Sequence, residues 1–118
     1  MGRRQIAESD LIWEGTLSDF IALEELPRGP GVTLYAKKPL DVLGRADKLW
    51  VLDTRMMGPD DDAPETAATL KLKELLTMST VQQVATNAEL QLRRKPSSAE
   101  FLKALRFYWG NDAFISFF

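Results

Sequence analysis

Hydrophobic and polar positions change their period near residue 58, and the elements they predict change with them. Before that point the pattern is mixed. Leu11–Trp13 is short and apolar and predicts a strand. "TLSDFIALEELP" (16–27) predicts a helix: Thr16 is placed as its N-cap, Asp19 follows three residues on as a capping partner, and Pro27 stops it. "RGPG" at 28–31 is a turn. From Val32 to Lys37, Val32, Leu34 and Ala36 alternate with Thr33, Tyr35 and Lys37, the pattern of a half-buried strand. Residues 39–47 fit either a helical turn or an extended loop. Residues 48–56 contain an unbroken apolar run at 49–52, as a central strand covered on both faces would.

Residues 58–64, "GPDDDAP", combine two prolines, a glycine and three carboxylates, which makes a solvated loop. Beyond it the period is helical, and three helices are predicted. The first begins near Asp62 with Pro64 in its first turn, where a missing N–H is harmless, and its apolar stripe is Ala68, Leu72, Leu75 and Leu76. The second opens with Ser79 and Gln82 as a capping box and carries Val81, Val84, Ala85, Ala88 and Leu92 on one face. Arg93, Arg94 and Lys95 suit its C-terminal end, and Pro96 prevents continuation. The third opens with the capping box Ser97 and Glu100, carries Phe101, Leu102, Leu105, Tyr108 and Trp109, and meets Gly110 as a C-cap. Alternation from Ala113 to Phe118 allows a last strand. The fold class is therefore α+β: a small sheet from the N-terminal half packed against a C-terminal group of three helices, with room for a final strand. One domain spanning 1–118 is expected, with residues 1–9 flexible.

Composition narrows the chemistry. The chain has 118 residues, 45% hydrophobic and 27% charged, which fits a globular domain and not a disordered one. Cysteine is absent, so there is no disulfide framework and no thiol chemistry, as in a reducing compartment. No segment reaches the length of a membrane span, and two N-terminal arginines without an apolar run behind them are not a secretory signal. A cytoplasmic protein is expected. Net charge is −2, with residues 1–65 at −5 and residues 66–118 at +3. That asymmetry reads either as ordinary helix-surface composition or as a basic face on the second half.

Histidine is also absent, which removes Ser-His and Cys-His nucleophiles and the usual zinc ligand sets. Asp60, Asp61, Asp62 and Glu65 form the one carboxylate cluster. Their spacing is wrong for an EF-hand loop, and acids ahead of a helix also complement its positive end, so no metal site is assigned. "RGPGV" lacks the spacing of a phosphate-binding loop, and no cofactor or catalytic residue is assigned.

Two candidate surfaces remain. Arg93, Arg94 and Lys95 sit between two helices, where a helix-turn-helix would place basic residues, although Pro96 and the apolar face of the following helix argue against one. Phe101, Phe107, Tyr108, Trp109, Phe114, Phe117 and Phe118 are seven of the eleven aromatic residues. Phe107, Tyr108 and Trp109 are consecutive, so a helix aims them about 100° apart and they cannot share one core. The surplus points to a contact surface, because clustered exposed apolar groups mark interaction sites. The expected function is a non-enzymatic accessory or interaction protein. It would self-associate, or bind a protein partner, through Trp109, Phe117 and Phe118. A nucleic-acid-binding protein using Arg93, Arg94 and Lys95 is the alternative, and a carboxylate-metal enzyme is third.

Overall fold

A computed structural model describes residues 10–57 and 61–118. The expected flexible stretch 1–9, the start of the 58–64 loop and Asp60 lie outside the described residues. The architecture is α+β, as the patterning predicts. A four-stranded antiparallel sheet, in the order β1-β3-β2-β4, consists of β1 (Leu11–Thr16), β2 (Val32–Ala36), β3 (Lys48–Asp53) and β4 (Lys73–Thr77). The helices are α1 (Leu17–Ile21), α2 (Glu65–Leu70), α3 (Met78–Leu92) and α4 (Ser98–Asn111). Helices α3 and α4 pack against each other and, with α1, cover one face of the sheet.

Strand β3 is central and buried on both sides. Leu49 and Val51 face the larger core with Leu17, Phe20, Leu34, Val81, Val84, Phe101 and Leu105. Trp50 and Leu52 face a smaller core with Tyr35, Ala67 and Leu72. Both cores are needed because side chains in a strand alternate between faces and all four of these are apolar. The second face is closed by the short helix α2. Buried Pro64 precedes it, and the Asp10 carboxylate accepts from the Thr66 N–H (3.1 Å) and from the Thr66 hydroxyl. The Asp10 carbonyl accepts from the Asp53 N–H (2.8 Å), so one residue ties α2, β1 and β3 together. Burial raises the pKa of Tyr35 on this face, with the nearby Glu74 and Asp10 carboxylates adding to the effect.

Several expectations are corrected. Strand β1 runs to Thr16, three residues beyond Trp13. Strand β2 is not half-buried: all five residues are buried, because β3 and β4 flank it and both faces are covered. Thr16 and Asp19 do form the capping box, but α1 ends at Ile21, well before Pro27. Carbonyls at and beyond the end of α1 accept from the C-terminal half. Ser98 Oγ donates to Ile21, Lys95 Nζ to Glu24 and Gln82 Nε2 to Leu26. The undecided stretch 39–47 holds a 3-10 turn at Leu40–Val42, and the Arg106 guanidinium donates to the Leu43 carbonyl (2.5 Å).

The largest correction concerns Ala68, Leu72, Leu75 and Leu76. They do not line one helix. The chain leaves α2 at Lys71, which adopts a left-handed conformation (φ 58°), and continues as β4. Ala68 is exposed, and Leu72 and Leu75 enter the two different cores. The α3 cap is Thr77, whose hydroxyl accepts from the Thr80 N–H, and not Ser79. Gly110 lies inside α4, which is capped by Asp112 (φ 52°). Residues 113–118 form no strand.

The α3 stripe is where the sequence placed it, with Val81, Val84 and Ala88 buried. Val84 is 2% exposed. Val84→Asp would bury a charge with no partner and is expected to cost several kcal/mol, enough to unfold a marginal domain. Thermal melting monitored by circular dichroism checks this, and an unchanged transition would contradict the assigned core.

Candidate functional site

The longest helix, α3, has an apolar face in the core and an outer face of amides. Gln83, Asn87 and Gln91 are spaced four residues apart, so they form one row along the helix. Asn87 Oδ1 accepts from Gln91 Nε2 (2.7 Å). Gln91 also holds the segment that follows α4. Its Nε2 donates to the Ile115 carbonyl (2.7 Å), and its Oε1 accepts from the Phe117 N–H (2.9 Å). These two bonds grip residues i and i+2 from one side, as a neighbouring strand would. Ile115 is buried and Phe117 packs against the larger core, whereas Phe114, Ser116 and Phe118 are exposed. The predicted alternation therefore exists in space, although a side chain stands where a strand partner was expected.

Beside this segment lies an open groove of about 690 Å³. Its floor and walls come from Met78, Gln82, Gln83, Asn87 and Leu90 of α3, with Arg28–Pro30 on one side and Phe114 on the other. The "RGPG" stretch is a turn, with Gly29 and Gly31 at positive φ (132° and 76°), values that a side chain rarely allows. Phe118 is 88% exposed, Leu90 72% and Phe114 43%. Phe114 is steadied by the ring of Tyr108, with centroids 5.6 Å apart. Among the residues lining the groove, Arg28 is the one ionisable group; the other polar contributions are carboxamides, hydroxyls and backbone.

The three aromatic residues proposed from sequence as partner contacts are not equivalent. Trp109 and Phe117 are partly buried against the core, and Phe118 projects from the surface. Helix α4 does aim its consecutive aromatics apart: Tyr108 and Trp109 turn toward the core and Phe107 is exposed. Leu90 and Phe114 were missed as surface candidates. Leu90 breaks the 3.6-residue stripe of α3, and that mismatch was the available signal.

The basic residues at 93–95 join the helices. Arg93 caps α3 in a left-handed conformation (φ 58°). Arg94 makes a two-point ion pair with Glu100, with both N–O distances 2.8 Å. Lys95 reaches the Glu24 carbonyl (3.4 Å). Glu100 also completes the α4 capping box by accepting from the Ser97 N–H (2.8 Å). The Arg94 guanidinium, followed by the Ser97 N–H, lowers the Glu100 pKa from 4.5 to about 2. Among the described residues, no group of three or more Asp, Glu, His or Cys is placed to hold a metal ion, and no helix is long and apolar enough to cross a membrane.

With this geometry in place, comparison with known proteins identifies the family. The chain belongs to the domain family of unknown function DUF7716, which matches residues 17–117. The match begins at the first residue of α1 and runs through Phe117, so it takes in the groove, the helix junction and nearly all of the segment held by Gln91. No curated protein and no solved structure matches the chain.

Two predictions follow from these contacts. The stabilisation tied to Glu100 is complete above about pH 4.5 and is lost as the pH falls toward 2, because the folded-state pKa is the lower one. Glu100→Gln should therefore lower the melting temperature at pH 7, with the difference from wild type closing across that acid range. Melting curves at several pH values test this; a gap independent of pH would mean that the ionised pair contributes nothing. Gln91→Ala leaves the Phe117 N–H and the Ile115 carbonyl without their partner, a loss of roughly 1–3 kcal/mol locally. Hydrogen exchange at the Phe117 amide should accelerate at least several-fold while the amide of Val84 keeps its protection. Equal protection at Phe117 in both proteins would show that apolar contacts alone hold the segment.

Proposed function

We propose that this protein is a non-enzymatic interaction protein that self-associates through the face formed by the outer side of α3 and residues 113–118. The observation that carries this reading is the grouping of Leu90, Phe114 and Phe118. Leu90 and Phe114 line the same groove, and Phe118 stands on the same outward side of the segment as Phe114. Contiguous apolar exposure of this kind marks an interaction surface, whereas a single exposed leucine does not. The chemistry of the groove favours binding over catalysis. Carboxamides and hydroxyls can read a polypeptide, but no carboxylate, lysine or tyrosine lines the groove to move a proton. The shifted groups lie elsewhere and have structural causes: Asp53 is lowered by the Arg55 side chain, Asp47 by the Gly44 N–H, and Glu100 by Arg94.

Sedimentation equilibrium tests the proposal. The wild-type protein should be a reversible dimer or larger in the tens-of-micromolar range. Leu90→Asp and Phe118→Asp should each weaken association by about tenfold or more, since truncating an interface anchor commonly costs about 2 kcal/mol. Both residues are exposed, so the circular-dichroism spectrum should not change. A monomer at all accessible concentrations would refute self-association.

A further inference from the structure

We infer that the self-association proposed above, on which this inference rests, is an antiparallel pairing of α3 with α3 of a second copy, in which Arg28 of each copy meets Glu89 of the other. The argument starts from the outer face of α3. Its exposed residues Ser79, Gln83, Thr86 and Leu90 follow one another at spacings of four, three and four. That is the spacing at which one helix offers a seam to another. A two-fold axis crossing the middle of the row, between Val84 and Ala85, exchanges Ser79 with Leu90 and Gln83 with Thr86. The one apolar side chain of the row then lies over the smallest. Leu90 of one copy enters the groove of the other above Ser79, where Met78 and Pro30 supply apolar wall.

Charge favours the same register. On one flank of the row, Arg28 shares a cleft with Gln82, Ala85 and Glu89. The Gln82 amide donates to the Leu26 carbonyl (3.4 Å), which sets Arg28 beside the first half of α3, whereas Glu89 lies near its end. Both residues are exposed, and among the described residues neither side chain has a hydrogen bond or an ion pair. An antiparallel two-fold keeps like flanks together and reverses their direction. Glu89 of one copy therefore comes level with Thr80 of the other, beside that copy's Arg28. Two such contacts form in each dimer, and each joins a cation and a carboxylate that the single chain leaves apart. The Phe114 flanks of the two copies meet on the other side of the seam. A parallel pair would instead turn the Arg28 flank of one copy toward the Phe114 flank of the other, where the groove lining carries no charge.

The composition of the seam sets the strength. Ser79, Gln83 and Thr86 bury little apolar area, and ion pairs near the surface contribute modestly. The dimer should therefore be weak and reversible, and it should weaken further as salt screens the Arg28–Glu89 contacts.

Charge reversal tests the pairing. In sedimentation equilibrium at low ionic strength, Arg28→Glu and Glu89→Arg should each weaken self-association about fivefold or more, because each replaces two attractions by two repulsions. Combined in one chain, they should restore it. The decisive sample is an equimolar mixture of the two single variants. It should associate at least as well as wild type, because both contacts of the mixed dimer again join opposite charges; a contact within one chain could not be repaired by mixing. Both positions are exposed, so the circular-dichroism spectra should match wild type. If wild type associates but the single reversals do not weaken it, or the mixture associates no better than its separate components, the Arg28–Glu89 pairing is wrong and self-association stands. If wild type is a monomer at all accessible concentrations, both fail.

Discussion

The constraint on which the structure depends is the need to cover β3 on both faces. A strand with four consecutive apolar residues, Leu49 to Leu52, cannot leave either face in water without exposing two large side chains. One face takes α1, α3 and α4, the bulk of the helical mass. The other is left to a six-residue helix, too short to be stable alone. That helix stays because Pro64 is buried at its start and because Asp10 reaches Thr66 from the opposite end of the sheet. Asp10 is the residue just before β1, so the edge strand and the second core are coupled through one carboxylate.

The same economy appears at the turn between α3 and α4. Glu100 accepts from its own N-cap residue and pairs with Arg94 across the junction. Ser98, Lys95 and Gln82 then reach back to hold the irregular chain after α1. Of the three basic residues at this joint, Arg94 is held in a fork by Glu100, Lys95 reaches the Glu24 carbonyl, and the backbone of Arg93 caps α3.

What could be read in the sequence was local. Both capping boxes, at Thr16 and Ser97, involve residues three apart and were legible, as was the α3 stripe through Val84. The double burial of β3 followed from its unbroken apolar run. Strand β4 was not legible, because Leu72, Leu75 and Leu76 satisfy a helical spacing as well as a strand and their partner β2 lies more than thirty residues earlier. The early end of α1 was hidden for a similar reason: the contacts made there, from Ser98 to Ile21, Lys95 to Glu24 and Gln82 to Leu26, come from residues far along the chain. At the candidate site, the sequence pointed to the right segment but not to its orientation. It grouped Trp109, Phe117 and Phe118, whereas packing turns the first two inward and brings forward Phe114 and Leu90.

Residues 113–118 illustrate how a pattern can be correct while its partner is missing from the single chain. Their alternation is realised, with Ile115 and Phe117 turned inward and Phe114, Ser116 and Phe118 outward. What prevents a fifth strand is position. The segment follows α4, and the edge it finds is the amide row of α3, not the sheet. Gln91 holds the Ile115 carbonyl and the Phe117 N–H, and the Ser116 hydroxyl donates to the Phe118 carbonyl (2.8 Å). Proteins commonly protect such edges with lysine, proline or a bulge. This one carries none of these between 113 and 118. Exposed rings such as Phe114 and Phe118 are a liability in a monomer, and the same rings make an adhesive surface when a partner of matching chemistry is available. Both descriptions have one physical origin: apolar rings whose exposure to water is less favourable than contact with other apolar surface.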